Sequence, residues 1–103
     1  MAKGYIIARA TIDDDEAYAR YAAGAGIAMK KYGARVLARG GRSEALEGAG
    51  RPRNVILEFE TYELACAYYH SDDYQAARQH RVGKAAMEIV VVEGYDGPQP
   101  SGS

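Results

Sequence analysis

The chain has 103 residues, enough for one domain and too few for two. Its 13 Lys and Arg face 14 Asp and Glu, for a net charge of −1, so it lacks the basic excess of a dedicated nucleic-acid binder. No apolar run approaches the roughly 20 residues that span a bilayer, and the one cysteine, Cys66, excludes an intrachain disulfide. The start, Met-Ala-Lys-Gly-Tyr-Ile-Ile, lacks the long apolar stretch of a secretory signal, and the expected compartment is the reducing cytoplasm.

Residues 4–12 are β-branched and aromatic and read as a first strand, with Tyr5, Ile7 and Arg9 on one face and Ile6, Ala8 and Ala10 on the other. Asp13 to Glu16 opens a helix, approximating a capping box and suiting the positive end of the dipole. Tyr18, Tyr21, Ala25, Ala28, Met29 and Tyr32 recur at helical spacing as its buried stripe, and Gly33 ends it. Gly24 and Gly26 weaken its middle, with a close approach to the sheet as one reason for them. Residues 34–39 read as a second strand broken by Gly40-Gly41, with Arg42 to Glu47 resuming it; the glycine pair suggests a bulge. A third strand runs from Arg53 to Glu60, with Val55, Leu57 and Phe59 as its apolar row. Thr61 caps a second helix that reaches His70, with an inner stripe of Leu64, Ala67 and Tyr68. Ser71-Asp72-Asp73 breaks it, and a further helical stretch runs from Tyr74 to Val82. Residues 87–94 form the fourth strand. Residues 1–95 are read as one domain and the Gly/Pro/Ser-rich residues 96–103 as a flexible tail.

The order β-α-β-β-α-β is that of an α+β ferredoxin-like fold, an antiparallel sheet with its helices on one face. The Val55 row and the Ile6 row suit the helices, which leaves Tyr5, Ile7, Arg9 and Glu58 on the other face. The fourth strand is apolar on both sides, through Ile89 and Val91 and through Val90 and Val92. A second copy laid sheet to sheet would cover the exposed side, so a homodimer is expected.

The chain resembles the domain-of-unknown-function 1330 family (DUF1330), of the dimeric α+β barrel superfamily. The segments that carry the resemblance include Gly4-Tyr5-Ile6-Ile7, Lys31-Tyr32-Gly33-Ala34-Arg35, Arg39-Gly40-Gly41-Arg42, Arg51 to Phe59, Tyr74-Gln75-Ala76, Arg81 and Val91-Val92-Glu93-Gly94. His70 before Ser71 departs from the family pattern, where Asn or another polar residue is expected. The resemblance implies a homodimer whose two sheets enclose a barrel-like space, and it implies no activity. It also makes Arg81 a pocket candidate.

Arg9, Arg39 and Glu58 are the constellation with most chemistry. Charges inside a sheet-to-sheet cavity must pair or bind something, since an unpaired buried charge is costly. One reading is a small anionic or carbonyl compound held by Arg9, Arg39 and Arg42, with Tyr5 adding a hydroxyl and Glu58 acting as a base for cofactor-free proton transfer or isomerisation. The other is a non-enzymatic structural or regulatory dimer whose charges pair internally. Whether the chain is an enzyme stays open between the two. No cofactor is expected: His70 and His80 lack zinc spacing, no axial histidine for haem stands out, and the Asp13 to Glu16 run is not a calcium loop. Cys66 reads as a small core residue. Neither a nucleic acid nor a membrane is an expected partner.

Overall fold

The computed structural model describes residues 2–102. The elements run β1 (Gly4–Ile12), α1 (Asp15–Tyr32), β2 (Arg35–Arg39), β3 (Arg53–Phe59), α2 (Tyr62–His70), α3 (Asp72–Arg78) and β4 (Ala85–Glu93). The strands form one antiparallel sheet in the order β2-β3-β1-β4. The helices lie on one face, as an α+β ferredoxin-like fold requires.

Alternation along β1 and β3 sets the two faces. Ile6 stands between Leu57 and Val91, and Ala8 between Val55 and Ile89. These residues, with Ala10 and Phe59, form the floor of the core. Tyr18, Tyr21, Ala25 and Ala28 of α1, Ala65 and Tyr68 of α2, and Tyr74 and Ala77 of α3 close over it. The core is rich in tyrosine, so its hydroxyls need partners, and Tyr21 and Tyr74 supply each other with a 2.8 Å hydrogen bond.

The helix ends are fixed by local chemistry. Asp14 caps α1, its Oδ1 accepting from the Ala17 N–H at 3.0 Å, a bond that holds the Asp14 carboxyl below its usual range. With Ala at the third position on, the expected capping box is absent. Gly33 takes a φ of 72° at the end of α1, and its N–H meets the carbonyls of the last turn. Ser71 ends α2 and caps α3: its hydroxyl donates to the Tyr68 carbonyl at 2.7 Å and accepts from the Tyr74 N–H at 3.1 Å.

Several expectations are corrected. The two-sheet barrel is not the fold: the four strands make a single open sheet in which the end strands β2 and β4 have one neighbour each and do not pair with one another. Barrel closure needs every edge paired, and four strands in this order leave two edges open. The second strand does not resume after Gly40-Gly41; residues 41–49 are exposed and irregular. The irregularity in the ladder lies between Val36 and Ala38 instead. The third helix is Asp72–Arg78, shorter and earlier than the stretch to Val82. In α2 the inward residues are Ala65 and Tyr68, while Leu64 and Ala67 are exposed. Gly24 allows close approach of α1 to α3, not to the sheet, since a Cβ there would lie 2.7 Å from that of Ala77. No helix among the described residues is long and apolar enough to cross a membrane.

Candidate functional site

Two regions carry polar groups in a defined setting, one on each side of the sheet.

The first is the face away from the helices. Tyr5 and Glu58 are directly opposed on β1 and β3, and the Tyr5 hydroxyl donates to Glu58 Oε2 at 3.0 Å. The negative charge beside it raises the Tyr5 phenol above its ordinary value, chiefly through that hydrogen bond. Arg35 stands opposite Glu58 on the other side. Arg9 is exposed two strand pairs along, opposite Asn54 and Glu88, and borders a cleft of about 200 Å³ with Ser43, Glu44 and Arg51. Glu88 is engaged by Arg51, whose guanidinium reaches Glu88 Oε2 at 3.1 Å and the Thr11 hydroxyl at 3.0 Å. Between these polar rows an apolar row crosses the sheet: Ala38, Ile56, Ile7 and Val90.

Arg39 is not part of this face. The irregularity between Val36 and Ala38 reverses the alternation of β2, so Arg39 stands opposite Val55, on the helix side. There it borders a void of about 50 Å³ with Arg53 and Tyr18. Arg53 Nε donates to the Tyr18 hydroxyl at 3.2 Å, and its guanidinium lies 5.2 Å from the centre of that ring. Arg42 is exposed in the irregular segment after β2. The expected group of Tyr5, Arg9, Arg39, Arg42 and Glu58 is therefore dispersed, with Tyr5 and Glu58 in contact. Arg35 takes the place given to Arg39, and no pattern in Arg-Val-Leu-Ala-Arg announces the exchange.

The second region lies under the helices at β4. Arg81, in the turn after α3, is 7% exposed. Its Nη2 donates to the Tyr74 hydroxyl at 3.1 Å, and its guanidinium sits 4.9 Å from the centre of the Tyr21 ring. Burial works against its charge, but the Tyr74 and Tyr21 hydroxyls more than offset this, and the group is held cationic. Its Nε is buried without a hydrogen-bond partner. No carboxylate forms an ion pair with Arg81 among the described residues. Burial likewise pushes the Tyr21 and Tyr68 phenols far up, so both stay protonated.

Arg81 borders a cavity of about 350 Å³ that also meets Arg78, His70, Cys66 and Tyr69, over a floor of Met87, Ile89 and Val91. His70, read from the sequence as the end of the second helix, and Arg78 of α3 both reach this cavity because the break at Ser71 turns α3 back beside α2. No group of three or more His, Cys, Asp or Glu residues is arranged to hold a metal ion among the described residues.

A family model described as "Domain of unknown function (DUF1330)" matches residues 3–95. No curated protein matches the chain. Among solved structures, a protein of unknown function from Rhodopseudomonas palustris is similar with a TM-score of 0.72 and 16% identity, over 93% of this chain and 85% of that one. A conserved protein of unknown function from Bacteroides thetaiotaomicron follows at a TM-score of 0.60 and 11% identity, over 89% of this chain and 97% of the other. A protein from Bacteroides fragilis, described as dimeric and of ferredoxin-like fold, has a TM-score of 0.53 and 14% identity, over 88% and 95% of the two chains. At these identities the likeness shows the fold alone.

Proposed function

Since the chain belongs to the DUF1330 family, we propose that it works as a non-enzymatic homodimer, joined through the sheet face opposite the helices, with the charges on that face paired to one another. The observation that carries this reading is the apolar row Ala38–Ile56–Ile7–Val90 on the face away from the helices, with Val90 54% and Val92 43% exposed. Water contact along such a row is unfavourable, and a second copy removes it. Arg9 and Arg35 on one hand and Glu58 and Glu88 on the other give the face both signs of charge, so two copies can meet with opposite charges in register. The Bacteroides fragilis fold relative described as dimeric supports the same reading. Glu58 already accepts from Tyr5 and stands opposite Arg35, which favours a pairing role over that of a base.

Light scattering on the eluting protein tests the proposal. The expected mass is twice the 11.1 kDa of the chain, and a double variant, Val90→Asp with Val92→Asp, should elute at the single-chain mass with an unchanged far-ultraviolet circular dichroism spectrum. A parent protein that stays monomeric at high concentration, or a folded double variant that stays dimeric, would overturn it.

A further inference from the structure

We infer that the cavity at Arg81 binds a small organic carboxylate: its charged end against Arg81 and Arg78, its apolar body over Met87, Ile89 and Val91. This site lies on the helix side of the sheet and is independent of the dimer face.

Three observations converge on it. The first is an incomplete charge balance. Arg81 is 7% exposed, has no carboxylate partner among the described residues and holds a buried Nε without an acceptor. A tyrosine hydroxyl and a tyrosine ring hold the guanidinium, but neither neutralises it. Buried cations are ordinarily matched by an anion, and here the chain supplies none. The second is the wall of the cavity: Arg78, Arg81 and His70 enter it and no acid does. The third is size and polarity. About 350 Å³ is at the small end of ligand pockets. Its floor of Met87, Ile89 and Val91 gives an apolar body somewhere to lie, which a hydrated inorganic anion would not use.

The planar fork of a guanidinium matches the two oxygens of a carboxylate, and the cavity is lined by two such groups, Arg78 and Arg81, beside apolar residues. The Tyr21–Tyr74 bond holds Arg81 in advance, so the ligand does not bear the cost of ordering that side chain.

Thermal shift and calorimetric titration of the full chain test the site with three probes: benzoate, its neutral counterpart benzamide, and inorganic phosphate. Benzoate should raise the melting temperature saturably, with little response to either of the others. Arg78→Gln, at a half-buried position, should leave the unliganded melting temperature unchanged and weaken benzoate about tenfold; Arg81→Gln should weaken it at least as much. Should Arg81→Gln fail to fold, Arg78→Gln and the cavity-filling Ile89→Trp, expected to abolish binding, decide. The inference is overturned if benzoate does not bind, if benzamide or phosphate binds as well as benzoate, or if Arg78→Gln binds benzoate like the parent.

Discussion

Gly24 of α1 lies so near Ala77 of α3 that a Cβ on the glycine would stand 2.7 Å from the alanine Cβ and 3.3 Å from its Cα. Two residues on, Gly26 faces open space, with nothing within 4 Å of a Cβ. The two glycines of one helix therefore respond oppositely to the same change. Gly26→Ala should gain up to about 1 kcal/mol from helix propensity alone. Gly24→Ala has the same intrinsic gain but meets a packed neighbour with no side chain to swing aside, and overpacking of this kind costs about 1–3 kcal/mol. Urea unfolding should place the Gly26→Ala midpoint above the parent and the Gly24→Ala midpoint below it.

The Tyr74 hydroxyl joins Tyr21 to Arg81. Tyr74→Phe keeps the ring contacts but removes the hydrogen bond of the Arg81 guanidinium and leaves two buried polar groups short of a partner. The expected loss is about 1–3 kcal/mol, measured as a shift in the denaturant midpoint with an unchanged slope.

Alkaline pH should destabilise the protein through the same cluster. Burial raises the Tyr21 phenol well above its ordinary value of 10.0 in the folded chain. The folded state thus keeps a proton that the unfolded state releases, so the contribution is complete below the unfolded value and is lost as pH climbs beyond it. Stability should begin to fall as pH approaches about 10 and keep falling as pH rises further. Tyr21→Phe should flatten that decline in denaturation curves taken across the range.

Ser71 works twice, at the end of α2 and the start of α3. Ser71→Ala should cost about 1 kcal/mol, and Ser71→Asp should recover most of it, because a carboxylate restores the acceptor at the Tyr74 N–H. Thermal melts of the three proteins would show the order parent, Asp, Ala.

Glu58→Gln keeps a carbonyl acceptor for the Tyr5 hydroxyl while removing the negative charge that raises that phenol. The Tyr5 phenol should then ionise at lower pH than in the parent, seen as an earlier rise in phenolate absorbance. Because Glu58 is half-buried and the acceptor is kept, stability at neutral pH should fall by no more than about 1 kcal/mol.

Much of the fold was legible because its signals are local and repeated. Alternation at Ile6, Ala8 and Ala10 and at Val55, Leu57 and Phe59 marks the helix-facing side, and the tyrosines and alanines of α1 recur at the helical period. The helix start at Thr61 follows from a side chain that can accept from the first turn, while the acidic run at Asp13 to Glu16 and the break at Ser71 mark the other two starts only approximately. The site was harder. The partner opposite Glu58 depends on an irregularity between Val36 and Ala38 that no residue in that short strand signals. The burial of Arg81 depends on how tightly the chain turns after Ser71, a tertiary matter, and only the family resemblance pointed to that arginine.

The outer edge of β2 carries a further consequence. That strand is exposed along its length and has a neighbour on one side only. It begins with Arg35 and ends with Arg39, and its ladder is irregular between them. An identical strand seeking to extend the sheet there would meet an arginine at each end, one on each face, and find no even row of bonding groups. The molecule is thereby guarded against growing into fibrils along its rim.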